Sequence, residues 1–401
     1  MYDAIVVGAR CAGSPTATLL ARKGYKVLVV DKAAFPSDTM STHMIWPRGI
    51  AVLARMGLLD DVVGTNCPPI HHVSVRFGDL ELRGAFKYGD EGDTGYCPRR
   101  YLLDKILVDA AAAAGAEVRE RFTAEGLIRE GGVVAGIRGH SRGAEPVEER
   151  ARLVIGADGI HSSVAKLVEA PEYNTFPPQI NFYFSYFSGF DCRQVEQHVI
   201  GDTAIVCMPT NDGLTMISGL WPSSRFDETR QDIDGNFRKL VAASPSVSDR
   251  LRPARQEEKW QGTAGVPNYF RKPYGPGWAL VGDAAYERDP ISAQGISDAL
   301  VEAEHLTQAI DAGLSGKRPL EEALAQYELE RNARHNDYYA FTLTNARIAQ
   351  PPAMMQLFAA MRHNQEAADL LMSVVAGSVP VSQFLNPENI GKILAGAAAA
   401  S

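Results

Sequence analysis

The sequence has no run of basic residues longer than a pair, although it contains 40 Lys and Arg residues. Its 48 Asp and Glu residues give a net charge of −8, which disfavours binding to the phosphates of a nucleic acid. No stretch of about 18 uninterrupted apolar residues occurs, so we expect no transmembrane helix. Neither a nucleic-acid partner nor a membrane span is therefore predicted.

Cysteine is scarce, and the chain lacks any CxxC pair. An odd number of dispersed thiols fits a reducing cytosol and predicts neither a disulfide framework nor a metal site. The first apolar segment begins close to Met1, which leaves no room for a secretory signal sequence. We therefore expect a cytoplasmic protein. The five cysteines are Cys11, Cys67, Cys97, Cys192 and Cys207.

The most informative segment present is AIVVGARCAG, residues 4–13, together with VLVVD at 27–31. An apolar run, a glycine turn, a helix and a second apolar run are typical of a βαβ unit that binds a dinucleotide. Gly8 would permit the tight strand-to-helix turn, and Gly13 the close packing of helix and strand. The helix N-terminus would offer unpaired N–H groups to a pyrophosphate, and Asp31 a carboxylate to ribose hydroxyls.

Two further acidic turns follow apolar runs later in the chain. GADGIHSSV places Asp158 beside two glycines, ahead of a helix predicted to begin at Ser162, and ALVGDAA places Asp283 at the end of a third apolar run. Each acid could simply cap the helix that follows it. Because Asp31, Asp158 and Asp283 all stand in the same setting, a shared ligand site is the better interpretation.

With 401 residues, 45% of them apolar, the chain is long enough for two or three domains. We predict an α/β fold in which a discontinuous nucleotide-binding domain, residues 1–171 and 273–345, surrounds an inserted, mostly antiparallel sheet at 172–272. A hairpin at 71–86 can join that sheet. Residues 346–401 are predicted to form a helical C-terminal extension, although the final GKILAGAAAAS is too plain to interpret.

Local patterns add detail to this division. A polar loop from Phe35 to Pro47 precedes a helix predicted to end near Leu59. The polar residues around it, including His43 and Arg48, suit the lining of a cofactor, or else a solvated excursion. Residues 117–155 have the alternation and glycine turns of a β-meander.

With its motifs in this order, the sequence resembles the FAD-dependent monooxygenases of the para-hydroxybenzoate hydroxylase type, a superfamily shared with geranylgeranyl reductases and flavin halogenases. The resemblance covers residues 1 to about 345 and implies a Rossmann-like FAD-binding domain with a substrate domain formed by the inserted sheet. It would place Asp31 on the ADP half of FAD, Asp283 on the ribityl side and Pro290 against the isoalloxazine ring. The full set of cofactor contacts that it implies is Gly8, Arg10, Ala12, Gly13, Asp31, Lys32, Arg48, Arg100 (of an RxxxD pattern ending at Asp104), Ala124, Asp158, Gly159, Asp283, Pro290, Gly295 and Ile296.

The sequence departs from the family pattern at two positions. Arg10 replaces the middle glycine of GxGxxG, which loosens the approach of the backbone to the pyrophosphate but adds a guanidinium that can pair with phosphate. The GADGxxSxVR pattern has Ala165 in place of its final arginine, with Lys166 one step on. A compact ammonium cannot reproduce a bidentate fork, so the docking of NADPH is not specified. NADPH or NADH is nevertheless the expected reductant.

The resemblance implies an NAD(P)H-dependent monooxygenase that hydroxylates an aromatic or polyketide-like small molecule with molecular oxygen, through a flavin hydroperoxide. Such chemistry needs a dry pocket. Aromatic residues of the inserted sheet could wall it, or could pack within the sheet instead; they are Phe182, Tyr183, Phe184, Tyr186 and Trp221. A general base would ionise a phenolic substrate. The candidates by residue type and place are His43, Tyr186 and His198, and none is assigned.

Other functions fit the same cofactor motifs. A prenyl reductase of the geranylgeranyl type would saturate alkenes, and neither GARCAG nor DPISAQG separates it from a monooxygenase. A flavin halogenase would need a WxWxIP stretch, which the sequence lacks. A non-catalytic flavin-binding protein is the remaining alternative.

Overall fold

The computed structural model describes residues 1–400. Its strands, in chain order, are β1 (Tyr2–Val7), β2 (Val27–Val30), β3 (His72–Phe77), β4 (Leu80–Ala85), β5 (Glu117–Arg119), β6 (Phe122–Glu130), β7 (Val133–Ser141), β8 (Val147–Gly156), β9 (Glu172–Phe176), β10 (Ile180–Ser188), β11 (Val195–Ile200), β12 (Thr203–Pro209), β13 (Thr215–Pro222), β14 (Arg255–Gln256), β15 (Gln261–Thr263), β16 (Asn268–Arg271), β17 (Tyr274–Gly275), β18 (Trp278–Leu280) and β19 (Tyr286–Glu287). Its helices are α1 (Gly13–Arg22), α2 (Pro47–Arg55), α3 (Leu59–Val63), α4 (Arg100–Ala113), α5 (Ser163–Leu167), α6 (Phe226–Gln231), α7 (Ile233–Ala242), α8 (Pro245–Leu251), α9 (Gly295–Leu314), α10 (Leu320–Asn345), α11 (Pro352–Ala360), α12 (Gln365–Val375), α13 (Val381–Phe384) and α14 (Pro387–Ala400). The mixture confirms the predicted α/β class.

The first sheet has the strand order β17-β18-β8-β1-β2-β5. Strand β1 pairs in parallel with β2 and with β8, so that Ala4 lies opposite Val27 on one side and Leu153 on the other. All three strands are apolar at these positions because both faces of the sheet are covered, one by helices that include α1 and α4 and the other by the β6–β7 hairpin with α5. The predicted βαβ unit is therefore present. The β6–β7 hairpin joins the sheet through the antiparallel pair β7–β8, as expected for a meander.

The second sheet has the order β14-β10-β13-β12-β11-β3-β4, with β15 beside β10. Its central strands are antiparallel, and Tyr186 of β10 lies opposite Met216 of β13. The hairpin β3–β4 belongs to this sheet, because β3 pairs in parallel with β11. A small third sheet has the order β19-β16-β9 and packs against α10, where Tyr339 contacts Phe270.

The two faces of the second sheet pack against different partners. Phe184 and Tyr186 point into the large core shared with the first sheet and its helices. Phe187 and Trp221 point the other way and pack on Phe237 of α7. This alternation follows from the two-residue period of a strand, and the inner face is the one that can meet a cofactor held by the first sheet.

The C-terminal part is helical, as the sequence predicts, and α14 continues the helices into the tail that could not be interpreted. One helix boundary was predicted wrongly. Helix α2 was predicted to end near Leu59 but ends at Arg55. Gly57 adopts φ +73°, which is outside the right-handed helical region, so the helix stops there and α3 begins separately at Leu59. Among residues 1–400, no helix is long and apolar enough to cross a bilayer.

Candidate active site

The three acidic turns meet at the carboxyl ends of the parallel strands. A Cβ added to Gly8 would lie 2.4 Å from the carbonyl oxygen of Ala157, so the first turn rests directly on the GADG turn. A Cβ added to Gly282 would lie 2.7 Å from the Cβ of Ala12, so the GDAA turn touches the first turn as well. The three turns, far apart in sequence, thus form one contiguous surface. It lies at the edge of the sheet where α/β proteins bind their ligands.

The first turn has the shape of an anion site. Gly8 has φ +103°, and a Cβ on Gly13 would lie 1.8 Å from the Gly8 carbonyl oxygen, so neither position accepts a side chain. Between them, the backbone N–H groups of Arg10, Cys11 and Ala12 have no hydrogen-bond acceptor in the part of the chain that is described. They stand at the N-terminus of α1, where unpaired donors and the helix dipole attract a phosphate.

Asp31 fastens this turn to the end of β2. Its carboxylate accepts hydrogen bonds from the N–H of Ala9 at 2.8 Å and from the N–H of Ala33 at 2.7 Å. Each oxygen keeps a further lone pair that can accept from a ribose hydroxyl. Strand β6, which carries Ala124, begins beside it, since the N–H of Phe122 donates to the Asp31 carbonyl oxygen at 2.8 Å. The side chain of Lys32 next to Asp31 is exposed.

Arg10 and Arg100 share one buried carboxylate. Both form ion pairs with Asp104, whose side chain is fully buried, and the Arg100 contact measures 3.0 Å. Arg10 also donates to Ser37 Oγ at 3.0 Å. Two guanidinium groups against one carboxylate leave an excess of one positive charge beside the open amides of the first turn. The sequence indicated the RxxxD pair but not that Arg10 would join it.

Asp158 is oriented toward its own helix. Its carboxylate accepts from the N–H of Ser163 at 2.6 Å, the N–H of Val164 at 3.2 Å and the hydroxyl of Ser162 at 2.5 Å. This is the geometry of a helix cap, and it holds the turn on which Gly8 rests. Gly159 follows at φ +76°. On the helix itself Ala165 is buried and Lys166 is exposed.

The third motif brings an acidic pair next to Arg100. Burial raises the pKa of Asp283, while the positive charge of Arg100 opposes that rise. Burial also raises the pKa of Glu287, and the neighbouring Asp283 carboxylate adds to the effect. Farther along, Arg48 donates to Gln294 Oε1 at 2.7 Å and forms an ion pair with Asp298. Arg48 therefore lies at the start of α9, away from the phosphate turn.

A short loop with a 3₁₀ turn at Pro290–Ser292 connects Asp289 to α9, which begins at Gly295 and Ile296. The carboxylate of Asp289 caps this turn by accepting from the N–H of Ile291 at 3.1 Å. Its other oxygen has no partner among the described residues. Because the side chain is fully buried, the pKa of Asp289 rises to about 7.

Trp46 ties the polar loop before α2 to the loop at Pro290–Ser292. Its Nε1–H donates to the carbonyl oxygens of Ser292 at 3.2 Å and Ala293 at 3.0 Å. Its backbone N–H donates to Ser297 Oγ at 2.9 Å. The segment from His43 to Trp46 is therefore attached to the loop at Pro290–Ser292, which the resemblance places against the isoalloxazine.

Two of the three candidate catalytic residues come together. His43 Nε2 lies 2.6 Å from the hydroxyl oxygen of Tyr186, and both side chains are buried. Burial, assisted by the positive charge of Arg100, lowers the pKa of His43 to about 3, so its imidazole is neutral at physiological pH. His43 Nδ1 is buried without a partner among the described residues.

Sequence reasoning missed Arg99, the third member of this cluster. Its guanidinium lies 3.7 Å from the centroid of the Tyr186 ring and forms ion pairs with Asp38 at 2.8 Å and Glu258 at 2.9 Å. Burial raises the pKa of Tyr186, and the charge of Arg99 opposes the rise. The adjacent arginines Arg99 and Arg100 were a visible signal, but only the topology reveals that they serve different parts of the site.

His198 lies on the opposite face of the second sheet. It stands opposite Ile205, which belongs to the core that packs on α7 and α8, and its Nδ1 lies 3.3 Å from Ser244 Oγ. Its Nε2 pairs with Glu196 at 3.3 Å. The structure therefore does not bring His198 to the His43–Tyr186 pair.

A cavity of about 530 Å³ opens between the inner face of the second sheet and the C-terminal helices. Val199 and Met208 line it from the sheet, Phe341 and Phe358 from helices α10 and α11, and Ile291 from the loop before α9. The five aromatic residues considered as walls of a pocket are absent from its lining and pack within the sheet instead. The C-terminal helices, which carry no motif, supply much of the wall.

These features fit the FAD that the resemblance implies. The open amides at the N-terminus of α1 suit a pyrophosphate, and the excess positive charge of Arg10 and Arg100 balances part of its charge. The glycine turn leaves no side chain in the way.

Comparison with known proteins agrees with this geometry. The model of the family described as FAD binding domain matches residues 1–342. Digeranylgeranylglycerophospholipid reductase of Methanosarcina acetivorans is 28% identical over 340 residues, covering 80% of this chain and 79% of its own. The flavin-dependent brominase Bmp2 superposes with a TM-score of 0.84 at 17% identity, covering all of both chains. PqsL, a probable FAD-dependent monooxygenase from Pseudomonas aeruginosa, superposes with a TM-score of 0.74 at 20% identity, covering 86% of this chain and 95% of its own.

Proposed function

The chain belongs to the FAD binding domain family and is an FAD-dependent oxidoreductase; from that premise we propose that it is an NAD(P)H-dependent monooxygenase of aromatic or polyketide-like small molecules, acting in the cytoplasm. Substrate, molecular oxygen, NAD(P)H and a proton would give the hydroxylated product, NAD(P)⁺ and water. The observation that carries the proposal is the buried His43–Tyr186 pair, whose tyrosine belongs to the same apolar core as several residues that line the cavity, although the pair itself does not line it. A phenolic substrate needs a proton-carrying group inside a dry site.

FAD, when bound, would take hydride from the nicotinamide and activate oxygen, which no side chain of the protein can do. The N-terminus of α1, with Arg10 and Arg100, would hold its pyrophosphate. Asp31 would receive the ribose of the adenosine, and Asp283 the ribityl chain. The loop at Pro290–Ser292 would lie against the ring system.

The hydrogen bonds favour one protonation pattern for the pair. The Tyr186 hydroxyl has no acceptor other than His43 Nε2 among the described residues, so it donates there. A neutral imidazole that accepts at Nε2 carries its hydrogen at Nδ1. His43 would therefore present an unpaired Nδ1–H to an oxygen atom of the bound substrate or cofactor. Arg99 would hold the Tyr186 ring in place through its face.

The cavity would provide the dry environment. Trp46 lines it and also bonds the carbonyl oxygens of Ser292 and Ala293, so the cavity reaches the loop assigned to the ring system. Apolar walls exclude water from the reacting atoms, and this strengthens each polar interaction that remains inside.

The test is turnover by purified protein loaded with FAD. With a panel of phenols, we expect substrate-dependent oxidation of NAD(P)H with one molecule of oxygen consumed for each nicotinamide. Protein that takes up no FAD, or that consumes no oxygen with any substrate, would contradict the proposal.

A second candidate, an alkene reductase, is favoured by the 28% identity to the archaeal reductase and by the apolar cavity. It predicts turnover of polyenes only under anaerobic conditions, with a product heavier by two hydrogen atoms. A halogenase has support from the brominase fold and from a chlorinase of Pseudomonas fluorescens that is 22% identical over 377 residues, but the chain lacks the WxWxIP stretch. Adding chloride or bromide to the same assay distinguishes a halogenase from a monooxygenase, because only a halogenase would give a halogenated product.

A further inference from the structure

The cavity is unusual in the charges of its lining. Among the described residues, no Lys, Arg or His contributes to its wall. Its one ionised side chain is Asp337 of α10, which is exposed and has no ion pair. The carboxylate therefore stands at the mouth of the cavity, facing water on one side and an apolar interior on the other.

The remaining polar groups are neutral. Gln197 projects from β11, Asn345 from the end of α10, and Ser292 from the loop before α9, and each offers hydrogen bonds without charge. Ser292 is at the end assigned to the ring system, while Asn345 is on the same helix as Asp337. The interior between them is formed by aliphatic and aromatic side chains.

Two guanidinium groups lie behind the lining, and Arg288 Nε and Nη1 and Arg48 Nε have no hydrogen-bond partner among the described residues. Arg288 stacks on the ring of Tyr338 at 4.5 Å, and both Arg288 and Arg48 form ion pairs with Asp298. Tyr338 lines the cavity, whereas neither arginine does. A ligand carboxylate inside the cavity would therefore meet no cation in the cavity wall.

We propose that this cavity selects apolar substrates without an acidic group and favours those whose outer end carries an amine. The inference rests on the proposed function only in taking the cavity as the substrate site. An anion would lose its hydration without gaining a counter-ion, which costs far more than burying a neutral group of the same shape. An ammonium group at the mouth would instead meet Asp337 within a protein of net charge −8.

Binding to the FAD-loaded protein tests this without requiring turnover. The probes are three phenols with the same six-carbon para chain, which ends in a methyl, an ammonium or a carboxylate group. Isothermal titration calorimetry should show that the ammonium probe binds most tightly, the methyl probe less tightly and the carboxylate probe most weakly, because the carboxylate would meet the negative charge of Asp337 at the mouth. Tight binding with no oxidation would overturn the proposed function and leave the substrate class standing.

Substitutions at the mouth of the cavity test whether Asp337 causes the preference for the ammonium probe. Asp337→Asn should remove the preference for the ammonium probe, and Asp337→Lys should improve binding of the carboxylate probe about three- to tenfold. Asn336→Lys adds a positive charge on the adjacent exposed position, outside the lining, and should leave the order unchanged.

Equal affinity for the three probes would overturn the proposal, as would tightest binding of the carboxylate. Binding of none of them by protein that holds FAD would also overturn it, because an apolar site of this size should accept at least the methyl probe. If Asn336→Lys improves binding of the carboxylate probe as much as Asp337→Lys does, then the net charge of the protein, and not the cavity mouth, sets the preference.

Discussion

His43 Nε2 lies 2.6 Å from the hydroxyl oxygen of Tyr186, and the two residues are 143 positions apart in the chain. His43 belongs to the loop after β2, and Tyr186 to β10 of the second sheet. The backbone of His43 has φ +61°, a region that a residue other than glycine occupies only when its surroundings hold it there. The hydrogen bond therefore fixes the ring in the interior of the site.

The first prediction concerns the tyrosine. Tyr186→Phe removes the hydroxyl while keeping the ring beneath Arg99, so turnover should fall about 10- to 100-fold with unchanged FAD content. Single-turnover and steady-state kinetics on the FAD-loaded protein measure this. Tyr183→Phe, on the outer face of the same strand, is the matched control and should keep full activity. Equal losses in both variants would place the effect in the sheet and not in the hydrogen bond.

The second prediction concerns the anion site. Arg10→Gly restores the common glycine pattern but removes one of the two guanidinium groups on Asp104, and FAD should bind about tenfold more weakly. Substrate preference should stay the same. FAD release measured by fluorescence checks the change, with Arg22→Gly at the far end of α1 as control. Unaltered FAD affinity would mean that Arg10 serves only to pair with Asp104 and does not hold the cofactor.

The third prediction is a dependence on pH. Because Asp289 has a pKa of about 7 in the folded protein and about 3.9 when unfolded, the folded state holds the extra proton between these values. Folded-state stability contributed by this group therefore falls as pH rises from about 4 to 7, by about 1.4 kcal/mol per unit. Asp289→Asn keeps an acceptor for the Ile291 N–H and removes the charge.

The advantage of Asp289→Asn over the parent should thus grow from pH 5 to pH 7 and then level off. Thermal unfolding of the FAD-loaded protein across this range measures it. Asp212→Asn makes the same chemical change at an exposed turn and is the matched control. A constant difference in melting temperature for Asp289→Asn would refute the burial argument.

The fourth prediction concerns the cavity. Val199→Trp would place an indole in the space beside β11, and the KM for a productive substrate should rise at least about tenfold, while FAD binding is preserved. Ile200→Trp changes the next residue, which points to the opposite face of the strand. If both variants raise KM alike, the cavity between the sheet and the helices is not where substrate binds.

The sequence was informative where one residue type has one physical use. Gly8 and Gly13 stand where a side chain would collide with backbone, so their positions predicted the turn and the helix behind it. Aromatic and β-branched runs bounded by Gly, Asp, Asn and Pro predicted the antiparallel strands of the second sheet, because such side chains fit a pleated, half-buried surface. Asp158 had two possible uses, and its hydrogen bonds to Ser163 and Val164 are those of a cap.

The parts that could not be predicted depend on long-range contacts. Arg10 meets Asp104 across 94 positions of the chain, and His43 meets Tyr186 across 143. The cavity wall comes largely from helices α10 to α13, whose sequences are ordinary amphipathic patterns. His198 was a plausible candidate by type, but the strand period places it on the face that packs on α7.

The central claim is oxygen transfer to an organic substrate at this site. The most direct measurement is mass spectrometry of the products formed from a panel of phenols and polyenes by the FAD-loaded protein with NAD(P)H under ¹⁸O₂. We expect a product that contains one ¹⁸O atom, with the second in water, and a sharply lower yield from Tyr186→Phe. A product that gains two hydrogen atoms or a halogen, with no ¹⁸O, would contradict the account.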